Sequence, residues 1–373
     1  LAGFEYSIDD LAAFRKLDSK TPGHPEFGEP GVETTTGPLG QGFAAAVGMA
    51  LANKMVAARC KAESVLDSHT VVLTGDGCMM EGISSEASSL AGHLKLGNLI
   101  VFYDANEICL DGPITECMSE DVGKRYDAYG WHVQTIDGHN LDAIHHAFES
   151  AKEHESAPSI IIAKTVIGKG SPNFEGTSDV HGKALGAQEA ADTKKSLGIP
   201  DELFFVPEEL KSYLNDRRDR LHDYFAQWKQ SFSDWEKTNV SAANLWKQLQ
   251  DHSISKDVIK AVSELDFTKA VATRKASHMI LQVLHDHVPH LVGGSADLSC
   301  SDSTWMGQGG MVSSDDYSGR NLKFGVREFA MGAMASGMAQ QGMMVPYCGT
   351  FLTFSDYMRN AIRLAALMSL PVI

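Results

Sequence analysis

The sequence predicts an α/β protein made of two units, each a mainly parallel sheet flanked by helices, with the second unit incomplete. Three observations lead there. From about Thr36, short apolar runs alternate with stretches of helical periodicity, the pattern expected when crossover helices join parallel strands. Between about Asp201 and Asp257 the alternation stops, and charges of both signs mix with Trp228, Trp235 and Trp246. It then resumes as far as Ile373. The expected division is 1–200, a helical connection over 201–260, and 261–373. Because the chain starts at Leu1 and stops inside the apolar run LMSLPVI, as if within a buried strand, it is expected to be a piece cut at both ends.

In the first unit the glycine-rich segment GVETTTGPLGQG (31–42) leads into a small-residue helix expected from Ala44 to Ala58. Strands are expected at TVVLTGD (70–76), LIVFYDAN (99–106), WHVQTID (131–137) and SIIIAKTV (159–166), all short runs rich in β-branched or aromatic residues. Helices are expected between them, from Ile83 to Lys95 and from Leu141 to Glu153. In the second unit, helices from Ala272 to His287, Arg327 to Gln341 and Ser355 to Ser369 alternate with strands HLVGGSAD (290–297), NLKFGV (321–326) and MVPYCGTF (344–351). Right-handed crossovers collect the strand ends along one edge of such a sheet, where ligands bind.

Composition narrows the function. The chain is 43% hydrophobic and 21% charged, and 48 acidic against 32 basic side chains leave a net charge of −16. That charge opposes nucleic-acid backbones and anionic membranes, so the expected partners are small molecules and other subunits. A phosphorylated ligand would need a local exception built from backbone N–H groups, a metal ion or a few basic residues. Six cysteines without a CxxC pair suggest neither a zinc cluster nor a disulfide framework. No apolar run reaches the roughly 18 residues of a membrane span, and LAGFEYSIDD lacks signal-peptide features. A cytoplasmic protein is expected.

GDGCMMEG (75–82) follows an apolar strand and opens a helix, and Asn106 closes another strand thirty positions after Asp76. A carboxylate and an amide oxygen at neighbouring strand ends suit Mg²⁺ or Ca²⁺. Gly75 and Gly77 would let the backbone approach a diphosphate, although an isolated GDG is more often only a turn. The second glycine-rich element could cradle a phosphate or merely allow close helix packing. His24, in SKTPGHPE (19–26), stands out by no chemistry of its own.

Together these blocks resemble the transketolase family, and the resemblance continues through KTVIGKGSPN (164–173), DVHG (179–182), RKAS (274–277), GGSADL (293–298), FGVREFAMGA (324–333) and TFLTFSDYMRNA (350–361). It implies two thiamine-diphosphate-binding-fold units, a diphosphate and metal domain followed by a pyrimidine domain. It also implies thiamine diphosphate with Mg²⁺ or Ca²⁺ as cofactors, and sugar phosphates as substrates. Asp76, Asn106 and the carbonyl of Ile108 match the family's metal ligands, and Gly37, Leu39 and Gly77 line the diphosphate and thiazolium pocket. Glu328 matches the carboxyl that hydrogen-bonds the aminopyrimidine and promotes loss of the thiazolium C2 proton; alone, it would read as a helix N-terminal carboxylate. Phe351, Phe354 and Tyr357 match an aromatic wall for the pyrimidine, and their spacing of three equally suits a buried helix face. Asp297 matches a position near the cofactor. His24 and His181 match histidines facing cofactor and substrate oxygens, and Arg274 and Ser301 match sugar-phosphate contacts. Cys300 stands where the family commonly has proline, which loosens the turn before Ser301. The implied reaction passes a two-carbon ketol unit from xylulose 5-phosphate to ribose 5-phosphate in the pentose phosphate pathway. It takes place in a homodimer whose active sites lie between subunits. The alternatives are another thiamine-diphosphate enzyme, such as a deoxyxylulose-phosphate synthase, and a non-catalytic fragment that still folds or dimerises.

Overall fold

The computed structural model describes residues 3–373. A short helix α1 (Ile8–Ala12), closed by a Ser7–Asp10 capping box, leads through an irregular segment to α2 (Gln41–Cys60). The first sheet follows: β1 (Thr70–Gly75), α3 (Asp76–Met80), α4 (Gly82–His93), β2 (Leu99–Ala105), a two-residue hairpin β3 (Ile108–Cys109) and β4 (Gly112–Pro113), α5 (Val122–Ala128), β5 (His132–Asp137), α6 (Leu141–Glu153) and β6 (Ser159–Lys164). The main strands run parallel in the order β1-β2-β6-β5. β6 is central, and its Ser159 to Ala163 are all buried, which accounts for its unbroken apolar run. β1 is an edge strand whose Leu73 is 82% exposed. The hairpin after β2 was not expected from the sequence.

After α7 (Ala187–Ser196), the stretch without strand pattern forms three helices, α8 (Glu208–Thr238), α9 (Val240–Gln250) and α10 (Lys256–Ser263). The tryptophans that marked this stretch tie it down. Trp228 Nε1 donates to the Val65 carbonyl at 2.8 Å, Trp235 Nε1 donates to that of Lys61 at 3.0 Å, and Trp235 packs edge-on against Trp246.

The second unit consists of α11 (Thr273–His287), β7 (Leu291–Ser295), α12 (Ser299–Asp302), β8 (Asn321–Lys323), α13 (Glu328–Gln340), β9 (Val345–Gly349) and α14 (Arg359–Leu367), with a parallel sheet in the order β8-β7-β9. Arg320 is buried and spends its guanidinium on the carbonyls of His285, Val288 and Leu291, closing the C-terminal end of α11. The expected buried strand at LMSLPVI is not formed. Only Ile373 pairs with β9, through Cys348 N–H to its carbonyl and its own N–H to Pro346, and its side chain is 69% exposed.

The two units meet where α2 crosses α13, two helices buried on nearly every face. A Cβ on Gly48 would lie 1.9 Å from the Met334 carbonyl oxygen, and one on Gly337 would lie 1.8 Å from that of Ala45. The two backbones therefore touch directly, each through the other's glycine. This also corrects the membrane expectation: α2 is by length and composition apolar enough to cross a bilayer, yet it is a core helix.

Gly48→Ala and Gly337→Ala should each destabilise by about 3 kcal/mol or more, since backbone cannot yield as a side chain can, whereas Gly82→Ala, which meets nothing within 4 Å, should be near neutral. Urea midpoints check this. A second expectation concerns His290, buried against His252 and held below its ordinary value of 6.5 by burial, then by the His252 and Arg320 charges. A histidine depressed in the folded state binds fewer protons there than when unfolded. Stability should fall as pH drops through 6.5 toward the folded value, and His290→Gln should flatten that slope in melts from pH 8 to pH 5.5.

Candidate functional site

The parallel register pairs Gly75 with Asp104, so the turn into α3 and the turn after β2 emerge side by side. Asp76, the first residue of α3, is 3% exposed. Its Oδ1 accepts from the Tyr103 hydroxyl at 2.5 Å, and its Oδ2 accepts from the Glu107 N–H at 3.0 Å. Burial pushes its carboxyl up, and those two donors work against the shift. Asn106 Oδ1 accepts from the Ile108 N–H at 3.0 Å, an Asx turn that leads into the small hairpin. Between them Glu107 has a left-handed φ of 64°, unusual for a side chain of its size.

Beside these strand ends a cleft of about 1260 Å³ follows the open edge of β1 and is lined by His24, Gly37, Leu39, Gly75, Asp104 and Thr165, among others. The segment before α2 packs onto the GDG turn. A Cβ on Gly77 would sit 3.0 Å from Leu39 Cδ1, and one on Gly37, at φ 130°, would press on the His24 ring at 3.1 Å. Both glycines keep this wall open. His181 follows a short 3₁₀ turn that lies against Gly168 of the cleft wall, and its Nδ1 is buried without a hydrogen-bond partner.

A second cluster forms at the start of α13. Glu328 is the first residue of that helix, 9% exposed, with Thr350 Oγ1 at 3.5 Å. Glu86 of α4 accepts from the Ala330 N–H at 3.0 Å; burial raises its carboxyl, and the neighbouring Glu328 raises it further. Phe351, Phe354 and Tyr357 fall on a 3₁₀ turn (Leu352–Met358) and its N-cap, where a period of three aligns the rings; their centroids are 6.1 and 6.2 Å apart. They do not form a buried helix face: Phe351 is 41% and Tyr357 67% exposed. Neither Glu328 nor these rings line the cleft beside Asp76.

Comparison with known proteins identifies the arrangement. Residues 1–254 match the family model of the transketolase thiamine diphosphate binding domain, and residues 269–373 that of the transketolase pyrimidine binding domain. The chain belongs to the transketolase family. It is 44% identical over 378 residues to the transketolase of Dictyostelium discoideum and 46% over 379 to that of Geobacillus stearothermophilus, in each case over 100% of this chain and 57% of the relative. A transketolase from Pichia stipitis, solved in complex with sedoheptulose 7-phosphate, superposes with a TM-score of 0.95 at 40% identity, over 100% of this chain and 57% of that one. The chain thus spans little more than half the length of these transketolases.

Of the residues singled out from the sequence, the transketolase fold draws Asp76, Gly77, Asn106, Ile108, Gly37, Leu39 and His24 to one end of the first sheet, with His181 against its wall. Glu328 and the three aromatic residues form the separate second cluster. Arg274, at the exposed start of α11, Asp297, exposed at φ 63°, and Ser301, exposed on α12, join neither. Four residues with direct roles in the geometry were missed: Glu86, Tyr103, Asp104 and Thr165. Strand alternation could have found Tyr103 and Asp104, since adjacent residues at a strand end must face opposite sides.

Because Glu107 holds a conformation that glycine adopts freely, Glu107→Gly should leave the melting temperature of the cofactor-free protein unchanged or higher, despite losing the exposed ion pair to Lys164. Glu107→Val, β-branched and more restricted than glutamate at positive φ, should lower the urea midpoint.

Proposed function

We propose that the protein containing this chain transfers a two-carbon ketol unit from a ketose phosphate to an aldose phosphate. One observation carries the reading: the parallel register sets the buried Asp76 and the Asn106 turn at neighbouring strand ends, beside a cleft lined by Gly75 and Asp104, inside a thiamine diphosphate binding domain. The donor set fits a hard divalent cation. Its oxygens would come from a carboxylate, an amide and the Ile108 carbonyl, hard donors suited to Mg²⁺ or Ca²⁺. Such an ion would rely on cofactor phosphate oxygens to complete its shell.

Thiamine diphosphate, when bound, supplies the nucleophilic carbon and the electron sink. The chain's own residues do the rest. Gly37, Leu39 and Gly77 shape the wall along the diphosphate and thiazolium. Glu328 would hydrogen-bond the aminopyrimidine, the rings of Phe351, Phe354 and Tyr357 would cover its faces, and Asp297 would lie near the cofactor. His24 and His181 would face the sugar oxygens and donate hydrogen bonds to them. Arg274 and Ser301, which lie outside both clusters in this chain, would bind the sugar phosphate, the planar guanidinium suiting two phosphate oxygens at once. A homodimer reconciles the two clusters. The exposed aromatic face and Glu328 of one subunit would complete the Asp76 cleft of its partner, so the separation of the clusters within one chain supports a shared site.

Calorimetric titration of thiamine diphosphate with and without Mg²⁺ tests this. Binding should require the metal and vanish in Asp76→Ala. Repeated across protein concentrations beside sedimentation velocity, the affinity should weaken as dimers dissociate. Metal-independent binding, or none to the wild-type chain, would refute the proposal.

A further inference from the structure

β2 ends in Tyr103, Asp104, Ala105 and Asn106, and alternation sends Tyr103 toward α3 and Asp104 to the other face of the sheet. There Asp104 makes two contacts. Its Oδ2 accepts from Asn106 Nδ2 at 3.1 Å, and its Oδ1 accepts from the Thr165 hydroxyl. Thr165 is itself fixed beside β2 because its N–H donates to the Ala105 carbonyl at 3.4 Å. The Asn106 carboxamide is thereby held at both ends, with Oδ1 on the Ile108 N–H and Nδ2 on Asp104. The assignment of its oxygen and nitrogen is forced. A backbone N–H can be met only by the oxygen, and a carboxylate only by the NH₂.

An asparagine reads equally well to a cation or an anion, depending on which end it offers. Turned one way, it presents a carbonyl with a free lone pair; turned the other, it presents two N–H donors that repel a metal. The Ile108 N–H alone is one contact on a solvent-adjacent turn. The Asp104 carboxylate adds a charge-assisted contact at the opposite end.

We propose that Asp104, braced by Thr165, is a positioning residue that sets the Asn106 carboxamide with its oxygen toward the divalent cation. This deepens the proposed function and rests on it. Residues that orient metal ligands from behind are worth about 10–100-fold in metal affinity, which is the size of effect expected here. A rival account must be separated: Asp104 also adds negative charge close to Asp76, and charge alone would attract a cation without orienting anything.

The experiment is calorimetric titration of Mg²⁺ into the chain with thiamine diphosphate present, on the wild type, Asp104→Ala, Asp104→Asn, Asn106→Ala and the Asp104→Ala/Asn106→Ala pair, with melting curves taken without metal. An asparagine at 104 loses the charge but can still accept from Asn106 Nδ2 through its oxygen while its NH₂ donates to Thr165. Positioning therefore predicts at least a 10-fold weaker Mg²⁺ affinity in Asp104→Ala, substantial recovery in Asp104→Asn, and no added loss when Asp104→Ala is placed on Asn106→Ala. Equal losses in Asp104→Ala and Asp104→Asn, or the same loss with Asn106 already removed, would show a charge effect and overturn the inference. Should Asp104→Ala fail to fold, Thr165→Val keeps the question open to measurement, since freeing the Asp104 side chain should weaken Mg²⁺ several-fold and an unchanged affinity would count against positioning. Absence of Mg²⁺-dependent binding in the wild type would overturn the proposed function itself. Wild-type binding with unaffected Asp104 variants would overturn this inference alone.

Discussion

The crossing of α2 and α13 is the contact on which the rest of the molecule depends. Each helix presents a glycine to a carbonyl of the other, at Gly48 against Met334 and at Gly337 against Ala45, with no room for even a methyl group. Such close approach explains why both helices are built from alanine, glycine and methionine rather than leucine. Large side chains would hold the axes apart, and small ones trade that volume for extended backbone contact. The crossing also sets the functional geometry. α2 leaves the Gly37–Gly40 segment, and α13 begins at Glu328, so one packing constraint fixes both clusters relative to each other.

Within the first sheet, register does what the crossing does between units. Parallel pairing of Gly75 with Asp104 brings the GDG turn and the Asn106 turn to the same level. The turns are linked through Glu107, whose N–H reaches Asp76 while its own backbone bends into the left-handed region. Strain at this position is held in place from both sides, by a buried carboxylate and by the Asx turn. Burying a carboxylate is costly by itself. The Tyr103 hydroxyl and the Glu107 N–H, both neutral donors, offset part of that cost.

Much of this was legible in the sequence. The four long strands of the first sheet and the three of the second declared themselves by short β-branched runs between helical periods, and GDG with Asn106 announced adjacent strand ends. The tryptophans of the connection marked a helical region without revealing that two of them cap carbonyls near the end of α2. What escaped was whatever depends on contacts between distant segments. The burial of His290 against His252, the three carbonyls gathered by Arg320 and the Glu86 contact to α13 join residues far apart in the chain, and no local pattern encodes them. At LMSLPVI the apolar composition marks a segment of which Ile373 already pairs with β9.

The aromatic turn shows how one spacing can carry opposite meanings. Phe351, Phe354 and Tyr357, three residues apart, would line the inward face of an α-helix. In a 3₁₀ turn the same spacing stacks the rings almost directly above one another, and here that column faces outward. Phe351 and Tyr357 are exposed and Phe354 is half-buried, and exposed ring surface forgoes the transfer free energy of burial. Thr350, which precedes Phe351, touches Glu328, so the exposed column is continuous with a buried carboxyl at a helix N-terminus. A planar, partly polar heterocycle could stack on the rings and meet the carboxyl at its edge. The proposed shared site rests on that pairing of rings and carboxyl, with the strand-end cleft, which neither Glu328 nor the rings line, as its proposed complement.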